Sequence, residues 1–114
     1  MDRYGRSTLV ATLLASLLVS GIAAPVAEEL YFRGYLLPRL ARLGGWAPLV
    51  HTILFALYHF WTPWLAVTRI IFFLPTVYIV WRKQNVAIAI WVHCLGNTVG
   101  TLAMLAAVLA GYTP

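Results

Sequence analysis

The chain is 114 residues long, 62% hydrophobic and 10% charged, with a formal net charge of +5. That composition excludes an ordinary soluble domain, whose apolar share is about half, and points to lipid as the solvent. The eight Lys and Arg residues stand singly or in pairs between apolar runs, so the positive balance reads as anchoring beside lipid headgroups and not as a nucleic-acid face.

Charge-free runs cover Ser7 to Ala27, Leu43 to Thr68 and Gln84 to Pro114. Each reaches the roughly 20 residues that a spanning helix needs at about 1.5 Å per residue. Backbone that touches lipid must satisfy its own hydrogen bonds, so these runs are expected to be helical. The first predicted helix covers about residues 8 to 37, bent at Gly21 and Pro25 and stopped by Pro38. Its outline behind Arg3 and Arg6, ending in "SGIAA", also resembles a signal peptide, but an acidic pair follows so closely that cleavage would leave little helix to hold it.

A second helix is predicted over about residues 46 to 61, opened by "GGWAP", and a third over about 64 to 82, after "WTPW" and with Pro75 inside it. The fourth covers about 86 to 110 and ends at Gly111. No repeat, linker or shift of composition divides the chain, so the expectation is one membrane-embedded domain over residues 1–114. The fold class is an all-α polytopic transmembrane helix bundle of about four helices, the first long and kinked. In a four-pass arrangement Arg39, Arg42, Arg82 and Lys83 fall on one side and Arg3 and Arg6 on the other, which favours the first side as cytoplasmic. Trp46, Trp61 and Trp64 flank helix ends, as interfacial aromatics do.

Within this apolar chain "PVAEELYFRGYL" carries two carboxylates and an arginine, groups that are costly in a low dielectric unless something compensates them. Glu29 and Arg33 stand at i and i+4, acid before base, the favourable order for an intrahelical ion pair. Glu28 points about 100° away from that pair and is expected to be held for chemistry or to face another helix. His93 and Asn97 repeat the i, i+4 relation on the fourth helix, as Phe55 and His59 do on the second. Counted along the helices, these polar groups fall about 10 to 20 Å below the Arg39/Arg82 side, which is how an intramembrane site is assembled from helices remote in sequence.

Together "EELYFR", "FALYH" and "HCLGN" resemble the three motifs, in order, of the CPBP family. These are the CAAX-protease and bacteriocin-processing intramembrane endopeptidases, also called Abi, and they include the Rce1-type prenyl-protein proteases. The resemblance covers roughly residues 20 to 110. It implies a glutamate-type peptidase in which Glu28 and His59 activate a water, His93 and Asn97 supply oxyanion donors, and Glu29 with Arg33 braces the first helix. Phe55 belongs to the second motif as a supporting residue. The implied substrate is a peptide or protein, prenylated where the host prenylates proteins and a bacteriocin or other peptide in a bacterium. The site is expected to open toward the cytoplasmic side, with the bilayer as the other partner and no cofactor. Relatives carry further helices around the motif core, so self-association or additional flanking helices are also expected on desolvation grounds.

Two other readings are weighed beside it. Glu28, His59 and His93 form the His₂Glu set of many zinc hydrolases, although there is no HExxH and Asn97 is then left without a task. A non-catalytic membrane scaffold or immunity protein of the same family would keep the polar residues as interhelical hydrogen bonds. His51, near the start of its helix, reads as an interfacial or packing histidine and Cys94 as a small packing residue. Arg69, with no acid on its helix, reads as reaching to an interface or holding a helix-end carbonyl. Gly96 and Gly100 have the small-xxx-small spacing of close helix packing.

Overall fold

The computed structural model describes residues 5–112, and among these there is no β-strand. The protein is all-α. A continuous but irregular helix, α1, runs Arg6–Arg39. It is followed by a 3₁₀ segment, Ala41–Trp46, and by α2, Ala47–Tyr58. A 3₁₀ turn, Pro63–Leu65, leads into α3, Ala66–Lys83, and α4 is Ala87–Leu109.

The apolar runs become helices because every amide must find a partner within its own segment, and the breaks follow local chemistry. Gly44 takes φ 56° and ψ −134°, a conformation that a side chain would oppose, and so turns the chain between α1 and α2. At the other connection Gln84 closes α3 in the left-handed conformation, its N–H bonded to Val80 O. Asn85 then caps α4 by accepting the Ala87 N–H at 3.0 Å.

Two features of α1 depart from the sequence expectation. Pro38 does not stop the helix, which carries on to Arg39 and ends at Leu40 (φ −87°, ψ 4°). Along the way α1 contains two π-helical segments, Val19–Ala23 and Leu30–Leu36, each ending two residues before a proline, Pro25 and Pro38. A proline removes the N–H that the preceding turn needs and crowds its carbonyl, and a widened turn accommodates both.

Another departure concerns α2. The uncharged run Leu43 to Thr68 is long enough to span, yet the helix within it has only 12 residues, about 18 Å at 1.5 Å each. Thr62, at φ −136° and ψ 59°, lies outside the helical region, as a residue before proline prefers, and the chain turns there. Among the described residues three helical segments, not four, are therefore long and apolar enough to cross a membrane: Arg6–Arg39, Pro63–Lys83 and Ala87–Leu109. Their faces expose many large apolar side chains, among them Leu18, Ile71 and Trp91, at 68 to 70%. Lipid is the solvent that such a surface fits.

The chain divides into two compact units, one comprising the residues up to Val26 together with those from His93 onward, the other Ala27–Val92. In the first, the start of α1 packs on the second half of α4, with Val108 buried and Arg6 donating to Leu109 O. The close approach runs through Gly21, where a Cβ would come within 3.0 Å of Thr98 Oγ1. Gly100 faces open space, so the small-residue contact belongs to Gly21 and not to that glycine of the expected pair.

The second unit has two apolar clusters. One joins Leu37, Ala47, Val77, Val80 and Ala89. The other stacks Phe32, Phe55 and Phe73 edge to face, with centroids 5.0 and 5.1 Å apart, a preferred geometry for aromatic quadrupoles. This aromatic cluster carries the guanidinium of Arg33.

Candidate active site

Glu29 and Arg33 both lie in α1 and are wholly buried. Arg33 Nε is 3.0 Å from Glu29 Oε2, so the ion pair anticipated from the i, i+4 spacing is formed. The remaining guanidinium nitrogens, Nη1 and Nη2, have no hydrogen-bond partner among the described residues. Compensation comes from π-electron faces instead: the guanidinium carbon lies 4.1 Å from the Phe55 ring centre and 5.2 Å from that of Phe73. A desolvated cation over an aromatic face gains about 2 kcal/mol or more.

Buried as completely, His51 lies two turns before His59 on α2. Its Nε2 is 2.9 Å from Phe32 O, and since a carbonyl only accepts, Nε2 carries the proton. Phe32 O also accepts the Leu37 N–H, five residues on, which marks the π register of that turn. His51 thus fastens α2 to the irregular part of α1. The residue is a packing histidine at heart, but its bond was not legible in the sequence, since it depends on a carbonyl turned outward by the π turn. Its spacing with Phe55 and His59, four residues each, was the available signal.

Glu28 and His59 are partly exposed, with side chains at 20% and 13%. Glu28 Oε2 stands 4.0 Å from His59 Nε2. His59 is the first residue past α2 and has left helical geometry (φ −82°, ψ 47°). Its Nδ1 is 3.0 Å from Phe55 O, which fixes Nδ1 as the protonated nitrogen and turns the Nε2 lone pair toward the carboxylate. Rings of Phe55, Tyr58 and Trp61 surround the imidazole at 4.8 to 5.1 Å.

His93 and Asn97 belong to the other unit, one turn apart on α4. His93 is buried at 6% exposure. Asn97 Nδ2 donates to Ser20 O at 2.8 Å. That carbonyl is available for a definable reason. In the π register of this turn the Ala24 N–H bonds Val19 O, so the donor due to Ser20 O would be residue 25, a proline with no N–H. Asn97 supplies the missing hydrogen bond and keeps a second N–H to spare. Cys94 Sγ lies 3.9 Å from Ile22 O, a weak contact in keeping with a packing role.

Among the described residues no group of three or more His, Cys, Asp or Glu side chains gathers as a metal site would require. A profile of the type II CAAX prenyl endopeptidase Rce1-like family matches residues 10–99. The chain belongs to the Rce1-like family. No curated protein and no solved structure matches it significantly. Membership places the protein in a protease family, and with three candidate spans it is an integral membrane protein. The three polar motifs of this Rce1-like protein all fall on or immediately after its helices, Glu28, Glu29 and Arg33 on α1, Phe55 and His59 at the end of α2, and His93 and Asn97 on α4.

Proposed function

We propose that this protein is an intramembrane endopeptidase of glutamic type, in which Glu28 and His59 hold and deprotonate the attacking water. The observation that carries this reading is the 4.0 Å separation between Glu28 Oε2 and His59 Nε2, two acceptors facing one another. Two acceptors at that distance suit one water that donates a hydrogen bond to each and leaves its lone pairs for a carbonyl carbon. Glu28 takes the proton as the oxygen attacks the peptide carbonyl. The protonated carboxyl then returns it to the leaving amine, so the carboxylate is regenerated with each turnover.

His93 and Asn97 are the oxyanion donors in this reading, carried by the family resemblance. Asn97 suits the role because its bond to Ser20 O orients the amide while a second N–H is left over. Glu29 and Arg33, buried and paired, keep the α1 turn that presents Glu28 in shape. The substrate class is the C-terminal segment of a prenylated protein, cut to release the terminal tripeptide, with leader or bacteriocin peptides as the bacterial counterpart. The site opens toward the cytoplasmic face.

The test is product analysis by mass spectrometry after reconstituted protein is offered prenylated C-terminal peptides and leader peptides, with and without thorough chelation. Cleavage of one class at a single bond, unaffected by chelation, is the expected result. No cleavage of either class, or activity that vanishes with the metal and returns with zinc, overturns the proposal.

A further inference from the structure

We infer that Arg69 is a positioning residue for the His59 imidazole, acting through Thr62, an inference that rests on the glutamic-peptidase reading above. The fold is weak where the imidazole is held. His59 lies beyond the end of α2, where the helical ladder no longer holds it, and the residues after it are exposed: Phe60 at 78% and Trp61 at 52%. A surface turn without an apolar core beneath it is among the first parts of a structure to fluctuate. The proposed chemistry nevertheless requires Nε2 to stay in register with Glu28, since a displacement of about 1 Å costs up to ~100-fold in rate.

Arg69 closes this turn from α3. Its Nη1 donates to Thr62 O at 3.1 Å and its Nη2 to Thr62 Oγ1 at 2.6 Å, so one planar guanidinium grips both the backbone and the side chain of one residue. Thr62 in turn donates its N–H to His59 O at 3.0 Å. The grip therefore ends one hydrogen bond from the backbone of the imidazole residue. Trp61, inside the same turn, packs its ring 5.1 Å from that of His59. One turn further along α3, Phe73 packs on Phe55, whose carbonyl receives the His59 Nδ1–H. The Arg69 and Phe73 face of α3 thus supports His59 from both sides, through the turn that follows it and through the ring that precedes it. The carbonyl held by Arg69 lies in this turn and not at a helix end, as the sequence had suggested.

The chemistry of the clamp dictates the variants. Thr62→Val keeps shape and removes the hydroxyl, Thr62→Ser keeps the hydroxyl, and Arg69→Lys keeps charge but has no fork to grip two acceptors. With the reconstituted protein, Arg69→Lys and Thr62→Val are each expected to lower kcat by ~10-fold to ~100-fold while KM stays within about twofold. Thr62→Ser is expected to retain the wild-type rate. The double variant Arg69→Lys/Thr62→Val should be no slower than the slower single variant, because the hydroxyl bond that Thr62→Val removes is part of the grip that Arg69→Lys already breaks.

A second readout does not depend on turnover. The chain has three histidines, so ¹⁵N-histidine spectra can be assigned by replacing His51 and His93 in turn. Wild-type His59 should give the signature of a single tautomer protonated at Nδ1, and Arg69→Lys and Thr62→Val should give mixed or exchange-broadened signals. A rise in KM alone would make Arg69 a substrate contact and overturn the inference, as would a His59 signal unchanged in both variants. A wild-type protein that cleaves nothing yet shows the expected change in the His59 signal upholds the clamp and refutes only the peptidase reading.

Discussion

The guanidinium of Arg33 lies over the ring of Phe55, 4.1 Å from its centre, and so links the acidic motif of α1 to the histidine-bearing end of α2. The same cation pairs with Glu29, and neither side chain touches solvent. Removing one member of a buried pair leaves the other uncompensated, at a cost of about 3–5 kcal/mol. Arg33→Met is therefore expected to lower the thermal unfolding midpoint in detergent sharply. Adding Glu29→Gln to it should recover part of the loss, because the orphaned carboxylate is then gone. Losses that simply add would contradict this account of the pair.

His51, inside α2, and His59, just past its end, are expected to answer substitution differently. His51→Leu removes the donor to Phe32 O and should destabilise the fold by about 1–3 kcal/mol. Cleavage per folded molecule should stay within a few-fold of wild type, since His51 Nε2 is committed to Phe32 O. Titration of folded protein by circular dichroism, with rates normalised to it, separates the two effects. A catalytic loss as large as that of a His59 variant would assign His51 to the chemistry.

The bond from Asn97 to Ser20 O depends on Pro25, according to the π register of α1. In a Pro25→Ala background residue 25 regains an N–H, and Asn97→Ala should then cost less stability than its ~1 kcal/mol in the wild-type background. A double-mutant cycle on unfolding midpoints measures this coupling, expected at about 0.5 kcal/mol or more. Independent effects would show that the proline has no part in orienting the amide.

Much of this arrangement was legible in the sequence where it rests on short-range geometry. The Glu29 and Arg33 pair follows from their spacing, and the four helices follow from glycine and proline punctuation. The π turns were not legible, because one extra residue in the hydrogen-bond register leaves the apolar pattern of α1 almost unchanged. That α2 is too short to span was missed because the uncharged run continues past His59, although "WTPW" did mark the end of the helix. The clamp of Arg69 on Thr62 lies between a helix and a loop, where no periodicity operates.

The central claim is that Glu28 is the base, and the most direct measurement is the single-turnover cleavage rate of Glu28→Gln in liposomes. Its amide keeps the shape of the side chain and cannot accept the proton of the attacking water. The account predicts a rate lower by ~100-fold to ~10,000-fold, with an unfolding midpoint close to wild type. A Glu28→Gln protein that cuts the same bond at a rate within a few-fold of wild type would contradict it.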